Sequence, residues 1–255
     1  EALAFTAIEF YHHASDKLFK VGVTGTNGKT TVATFVRNLF NLLGLPCGML
    51  GTNGIFTSKE ALNIKKSTPT TPISSDVQAI FSELIKRGDV AAAMEVSSIA
   101  LDQYRVGGFE FDVAIHTNIS EEHMEYHKTF DHYKMCKLRL FTQAKASVVN
   151  LDDAGMSKDI IRVVQGSVIT YSNNINSDAD LIWTNIQHLA DGMSFELLYK
   201  GQSHQIRIPI YGEYNVGNLV SAIGAALLAR IPFDKILLAL PMMEQVDGRF
   251  QVIHG

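Results

Sequence analysis

Short apolar runs alternate along this chain with segments of helix length. Runs at 19–23, 90–94, 113–115 and 147–149 read as strands, and apolar residues recur at helical spacing over 30–43 and 215–230. Alternation of this kind predicts an α/β fold, a mostly parallel sheet flanked by helices on both faces. Between residues 168 and 210 the period changes to two, with Asp191-Gly192 and Lys200-Gly201 at the turns. That stretch predicts a small antiparallel β region appended to the main sheet. Helix 215–230, with small Ala and Gly positions, continues in the same register over 233–240, and a final strand is expected at 250–253.

The first twenty residues read as an amphipathic helix. They lack an initiator Met and the charged-then-apolar order of a signal peptide, and the chain stops just after the last strand-like run. Both ends are therefore expected to be domain boundaries within something longer. No internal repeat or low-complexity segment interrupts the pattern.

Composition narrows the class. With 255 residues, 46% hydrophobic and 19% charged, the chain can bury one large core or two small ones, and disordered and collagen-like classes are excluded. A net charge of -4 offers no basic surface for phosphate backbones, so nucleic acid is not an expected partner. Cys47 and Cys136 are the only cysteines, far apart and without metal-ligand spacing. They suit reduced thiols in a cytoplasmic protein. No apolar run reaches membrane-spanning length, so membrane insertion is not expected.

The strongest chemical signal is Val21-Gly22-Val23-Thr24-Gly25-Thr26-Asn27-Gly28-Lys29-Thr30-Thr31, an apolar strand entering a glycine loop that opens a helix. Gly25 and Gly28 let the backbone turn and bring its N–H groups against phosphate oxygens. The helix adds its positive N-terminal dipole, Lys29 can reach the terminal phosphates, and Thr30 offers a hydroxyl to Mg²⁺. The general phosphate-loop pattern wants a further glycine where Val23 stands, so this is a shorter variant. A glycine turn that merely packs tightly is the alternative.

This loop resembles that of the Mur ligase family, and further stretches match in the same order over nearly the whole chain. Glu95-Val96-Ser97-Ser98 resembles the family's acidic motif. Thr117-Asn118-Ile119-Ser120, with His123, Tyr126, His127 and Lys137, resembles the next one. Residues 212–218 and Gly248-Arg249-Phe250 resemble later nucleotide-side motifs. Within the family the match is nearest to members that attach the third amino acid, meso-diaminopimelate or L-lysine, to UDP-MurNAc-L-Ala-D-Glu.

The resemblance implies a central ATP-binding domain over 1–255, working with UDP-binding and amino-acid-binding domains that the chain lacks. It implies ATP and two Mg²⁺ ions, in cytoplasmic peptidoglycan synthesis. It assigns Gly25, Thr26, Asn27, Gly28, Lys29, Thr30, Thr31, Asn215, Asn218 and Arg249 to the nucleotide. Thr30, Glu95, His123 and a carbamylated Lys137 are the implied metal ligands, and Lys29, Glu95, His123 and Lys137 the catalytic group. Thr70, Thr71, Ser97, Gln103 and Arg105 would hold the muramoyl dipeptide, with Arg105 suited to a carboxylate because its planar fork binds bidentately. The implied reaction is attack of a dipeptide carboxylate on the ATP γ-phosphate, giving an acyl phosphate that the amino acid's amine resolves to an amide.

Several residues keep plainer readings beside these. Glu95 would otherwise be a solvated strand-end carboxylate, His123 and His127 capping or surface histidines four apart, and Lys137 a solvated helix lysine. Arg105 could form a surface ion pair, and Asn215 could cap its helix. Carbamylation needs a neutral lysine, which burial or cationic neighbours such as Lys134 and Arg139 would favour. Glu122 stands where the family often has Asp, and Ile99 where close relatives often have His. A folylpolyglutamate synthetase-like ligase shares the loop and chemistry, and a non-catalytic Mur-like nucleotide-binding module is a reading from another class.

Overall fold

In the computed structural model, which describes residues 1–246, eleven strands join in one sheet. The chain opens with α1 (Ala2–Phe10), β1 (Phe19–Thr24) and α2 (Lys29–Leu42). Next come β2 (Cys47–Gly51), β3 (Gly54–Phe56), β4 (Ala61–Leu62), α3 (Ser74–Lys86), β5 (Ala91–Glu95) and α4 (Ser98–Asp102). Then follow β6 (Val113–His116), α5 (Met124–His127), α6 (Phe130–Thr142), β7 (Ala146–Asn150), α7 (Ser157–Val163) and β8 (Ser167–Ser172). The chain continues through β9 (Leu181–Leu189), β10 (Gly192–Tyr199), β11 (Gln202–Ile208), α8 (Tyr214–Leu228) and α9 (Phe233–Ala239).

Strand order is β11-β10-β9-β8-β7-β6-β1-β5-β2-β3-β4. The seven strands from β9 to β2 are parallel, and an antiparallel hairpin extends each edge. Alternate residues of the central strands feed opposite cores. Val21, Val23, Ala91, Ala93, Val113 and Ile115 face one side, where α2, α8 and α9 pack. Ala92, Met94 and Ala114 face the other, with residues of α3, α6 and α7. Both faces are thus covered, as a parallel sheet requires.

Helix α2 illustrates why these segments settle here. Val32, Phe35, Val36, Leu39 and Phe40 recur at helical spacing and are fully buried. Each phenylalanine buried in this way contributes about 1.5–3 kcal/mol. In α8, the small residue Gly224 lets the helix lie against Val148 of β7, whose Cγ1 would sit 2.9 Å from an added Cβ.

Two expectations are corrected, and one edge of the sheet is new. The opening helix ends at Phe10, because the chain then passes through left-handed His12 and His13 (φ 52° and 54°). The antiparallel region is narrower than 168–210, since β8 pairs in parallel with both β7 and β9, and the switch comes at the β9–β10 hairpin. The β3–β4 edge was not expected at all: its strands have three and two residues, too short for a periodicity signal. The Lys200-Gly201 turn behaves as read, with φ 50° and 75°. The expected strand at 250–253 and the Gly248-Arg249-Phe250 motif, Arg249 included, lie outside the described residues.

All seven parallel strands end at one sheet edge. Register sets Val23 beside Glu95, Thr24 beside His116 and His116 beside Val149. Ligands of open α/β sheets bind at this edge.

Candidate active site

The glycine loop leaves β1 and turns directly into α2. Gly25 (φ 156°) and Gly28 (φ 87°) adopt backbone that other residues rarely reach. Space forbids a side chain as well. An added Cβ would lie 1.8 Å from Thr117 Oγ1 at Gly25 and 2.8 Å from Asn218 Oδ1 at Gly28. Residues 117–120 splint the loop from one side: the amides of Thr26 and Asn27 donate to Asn118 O (2.8 Å) and Asn118 Oδ1 (2.9 Å). Thr117 Oγ1 donates to Asn27 O (2.6 Å). The first helical bond of α2 runs from Val32 N–H to Gly28 C=O (2.9 Å), so the amides of Thr30 and Thr31 precede any acceptor within the helix. Both residues line a cavity of about 310 Å³.

Glu95 ends β5 inside this cavity and is 1% exposed. It accepts hydrogen bonds from Thr30 Oγ1 (2.9 Å), the Thr52 amide (2.6 Å) and Thr52 Oγ1 (3.2 Å). The solvated-carboxylate reading therefore fails. Thr30 and Glu95 together offer the oxygen donors that a hard dication prefers. Thr52 had no assigned role, because the Gly-rich run at 47–51 does not announce a strand.

Two ammonium groups converge on one oxygen: Lys29 Nζ and Lys137 Nζ donate to Gly25 C=O at 2.9 and 2.8 Å. Lys29 also reaches Thr26 C=O (2.7 Å). Lys137 is 1% exposed, with its nitrogen 4.7 Å from the centre of the Tyr133 ring. Burial, followed by the charge of Lys29, holds the Lys137 amine well below the usual lysine range. Lys134 and Arg139 are not the cationic neighbours, for they pair instead with Asp159 (2.5 Å) and Asp102 (3.4 Å). The sequence did contain a sign that Lys137 is not a solvated helix lysine. It sits on the apolar stripe Tyr133, Cys136, Lys137, Leu140, Phe141, every member of which is buried.

His123 and Glu122 line the same cavity. His123 is the left-handed residue (φ 57°) that begins α5, with its ring near Glu122 (3.7 Å) and Glu125 (3.4 Å). His127 does not join them. It is buried, bonded to Ser98 Oγ (2.9 Å), and burial lowers its pKa. Tyr133, hydrogen-bonded to Thr26 and beside Glu122, is pushed up to about 12 by burial and remains a neutral hydroxyl.

Of the dipeptide residues, Thr70 and Ser97 line the cavity. Thr71 is fully buried and ties its loop to Glu95 C=O (2.9 Å) and the Ser97 amide (3.0 Å). Arg105 is engaged by its own chain, donating to Gln103 Oε1 (2.7 and 3.0 Å), Thr68 Oγ1 (3.1 Å) and Thr71 C=O (2.9 Å). Neither Arg105 nor Gln103 is among the cavity's lining residues; Arg105 braces the 68–71 loop, and Gln103 holds Arg105 and donates to Tyr126 Oη. Lys66 fastens the same loop to the end of β2, donating to Pro69 C=O (2.7 Å) as well as to Gly51 C=O and Thr52 C=O.

Beyond Gly28 and Thr31 a second cavity of about 580 Å³ opens against α8. Its walls include Asn118, Asp152, Tyr171, Trp183, Tyr214 and Asn218, contributed by five separate segments. Asn215 is fully buried and is not part of the wall. Its amide donates to Tyr211 C=O (2.7 Å) and its carbonyl accepts from Asn218 Nδ2 (3.3 Å), so it aims Asn218. Nor does Asn215 cap α8, since Glu213 occupies that position. Asp152, Tyr171, Trp183 and Tyr214 escaped the sequence reading because no local spacing links them.

The Mur ligase middle-domain profile matches residues 23–226. UDP-N-acetylmuramoyl-L-alanyl-D-glutamate–2,6-diaminopimelate ligase 2 of Clostridium acetobutylicum is 35% identical over 254 residues, covering 100% of this chain and 52% of that protein. The corresponding ligase of Coxiella burnetii is 38% identical over 257 residues, 98% of this chain and 52% of that one. A solved structure of a ligase of the same name superposes with a TM-score of 0.85 at 30% identity, covering 96% of this chain and 51% of that one. The chain thus spans about half the length of the relatives it matches.

Proposed function

This chain belongs to the Mur ligase family, and from that premise we propose that it is the ATP-binding middle domain of the ligase that adds meso-diaminopimelate or L-lysine to UDP-MurNAc-L-Ala-D-Glu. In this reading the protein works in the cytoplasm, on small-molecule substrates, in peptidoglycan synthesis. Uridine and amino-acid recognition lie outside residues 1–255.

One observation carries the reading. Two ammonium groups share the Gly25 carbonyl while a buried carboxylate faces them across the same cavity. Like charges so close repel. Polyphosphate beside Lys29 relieves that repulsion, as does converting Lys137 from cation to anion. The second change is carbamylation: the ammonium gives up one proton, and the neutral amine so formed attacks CO₂, forms an N–C bond as one C=O π bond opens to a carboxylate oxygen, and releases a second proton. Burial of Lys137 supplies the neutral amine.

Thr30 and Glu95 would hold one Mg²⁺; His123 and the Lys137 carbamate would hold a second. Bound there, the ions would neutralise charge developing on the transferred phosphoryl group. Lys29 holds the β- and γ-phosphates while the dipeptide carboxylate attacks the γ-phosphorus and ADP leaves, and the resulting acyl phosphate yields amide and phosphate when the amine adds. Thr70 and Ser97 line the side from which that carboxylate arrives. Asn218 faces the nucleoside, held by Asn215.

The test is phosphate release by the full-length protein. We expect it to require ATP, UDP-MurNAc-L-Ala-D-Glu and a diamino acid together, and to be lost in Lys29→Ala. Release that needs a folate and glutamate instead would establish the folylpolyglutamate reading. Nucleotide binding without any substrate-dependent release would leave a non-catalytic module.

A further inference from the structure

Beside the ligase cavity, where α4, α5 and α6 meet, three metal-binding side chains come together that the ligase reading does not use. His127 ends α5, while His132 and Cys136 lie one turn apart on α6. His127 Nδ1 is 3.2 Å from His132 Nδ1, and Cys136 Sγ is 3.6 Å from His132 Nε2. One donor atom from each of the three falls within 4.8 Å of the others. Asp102, at the end of α4, places Oδ1 3.5 Å from both Cys136 Sγ and His132 Nε2. Tetrahedral zinc, at about 2.0–2.1 Å from nitrogen and about 2.3 Å from sulfur, holds its ligands roughly 3.3–3.6 Å apart.

The surroundings suit a site. His127 Nε2 is bonded to Ser98 Oγ (2.9 Å), which fixes the ring with Nδ1 turned towards the other donors, the usual arrangement of a metal-bound histidine. His127 and Cys136 are buried, while the His132 side chain is 37% exposed and leaves an entry path. His132 offers one nitrogen to His127 and the other to Cys136 and Asp102. A single ion takes one of them, and rotation of this part-exposed ring selects which. The cysteines alone have no metal-ligand spacing; the two histidines supply what Cys136 lacks.

We propose that His127, His132 and Cys136, with Asp102 or water completing four ligands, form a transition-metal site selective for Zn²⁺ over Mg²⁺. Imidazole and thiolate favour a borderline-soft ion, whereas Mg²⁺ demands oxygen. Binding releases the thiol proton of Cys136 to solvent. The ion ties α5, which His123 immediately precedes, to the helix that carries Lys137.

Metal-stripped protein titrated with Co²⁺ tests this. We expect one equivalent to bind with a sulfur-to-cobalt charge-transfer band and tetrahedral ligand-field bands, to be displaced by Zn²⁺ and to withstand excess Mg²⁺. Cys136→Ser should abolish the charge-transfer band. His132→Ala, at a part-exposed position that spares the fold, should weaken Co²⁺ binding at least about tenfold. Both variants should retain Mg²⁺-dependent ADP binding, because neither side chain belongs to the nucleotide site. Absence of a thiolate band in the parent protein, or Co²⁺ binding unchanged in His132→Ala, would overturn the proposal and leave the ligase reading standing.

Discussion

The two adjoining cavities, the first proposed above as the phosphate end of a nucleotide site and the second as its nucleoside end, are built in different ways. At the phosphate end Lys29, Thr30, Glu95 and Lys137 are wholly or largely buried, and each is held by short bonds to backbone or to one another. At the nucleoside end the walls are mainly aromatic and amide side chains from β8, β9, α8 and adjoining loops, with the carboxylates of Asp152 and Glu213, around a wider space. The first end concentrates charge in little volume, where electrostatic effects are large. The second spreads mostly uncharged contacts over a broad surface, where each residue counts for less. Affinity should therefore be concentrated at the phosphate end, with the nucleoside end adjusting it.

The largest break in that contrast should come from Lys29→Ala. Charge-assisted bonds to phosphate contribute about 1.5–3 kcal/mol each, so ADP affinity by calorimetry should fall roughly tenfold to a hundredfold with the melting temperature little changed. Glu95→Gln keeps the shape but removes the anion. The gain in ADP affinity on adding Mg²⁺ should shrink by about tenfold, read as the ratio of affinities with and without the metal.

Lys137 probes the same end through pH. Its folded pKa lies below the ordinary 10.5, so the unfolded chain binds the proton more readily. The resulting penalty on folding is complete below the folded pKa and fades as pH rises towards 10.5. In CO₂-free buffer, Lys137→Met should be more stable than the parent at low pH, with the difference shrinking as pH rises. A constant difference across that range would contradict the burial argument. The smallest effect belongs to Asn218→Ala at the nucleoside end. Loss of one neutral hydrogen bond of about 0.5–1.5 kcal/mol should weaken ADP and adenosine alike, by roughly twofold to tenfold.

The two ends also differ in how far the sequence reveals them. Gly25, Gly28, Lys29 and Thr30 are legible because one tight turn fixes them all, and local spacing is what a sequence displays. Glu95 is legible as the polar residue closing an apolar run. Lys137 required the stripe of α6 to be followed through a charged position. Thr52 was hidden by a Gly-rich strand, and Tyr171, Trp183 and Asp152 by their separation along the chain. Arg105 and Asn215 show the converse limit: residue type suggested ligand contact, whereas the fold commits one to bracing a loop and the other to aiming Asn218. The strands β1, β5, β6 and β7 were read from their short apolar runs, but the three- and two-residue strands of the β3–β4 edge gave no pattern to read.

Comparative binding of ADP and adenosine to the parent protein and to Lys29→Ala, with Mg²⁺ present, tests most directly whether the glycine loop and its lysine hold the phosphates. The variant is expected to lose at least about tenfold on ADP while adenosine binds as before. Equal losses on both ligands, or no loss on ADP, would contradict that role.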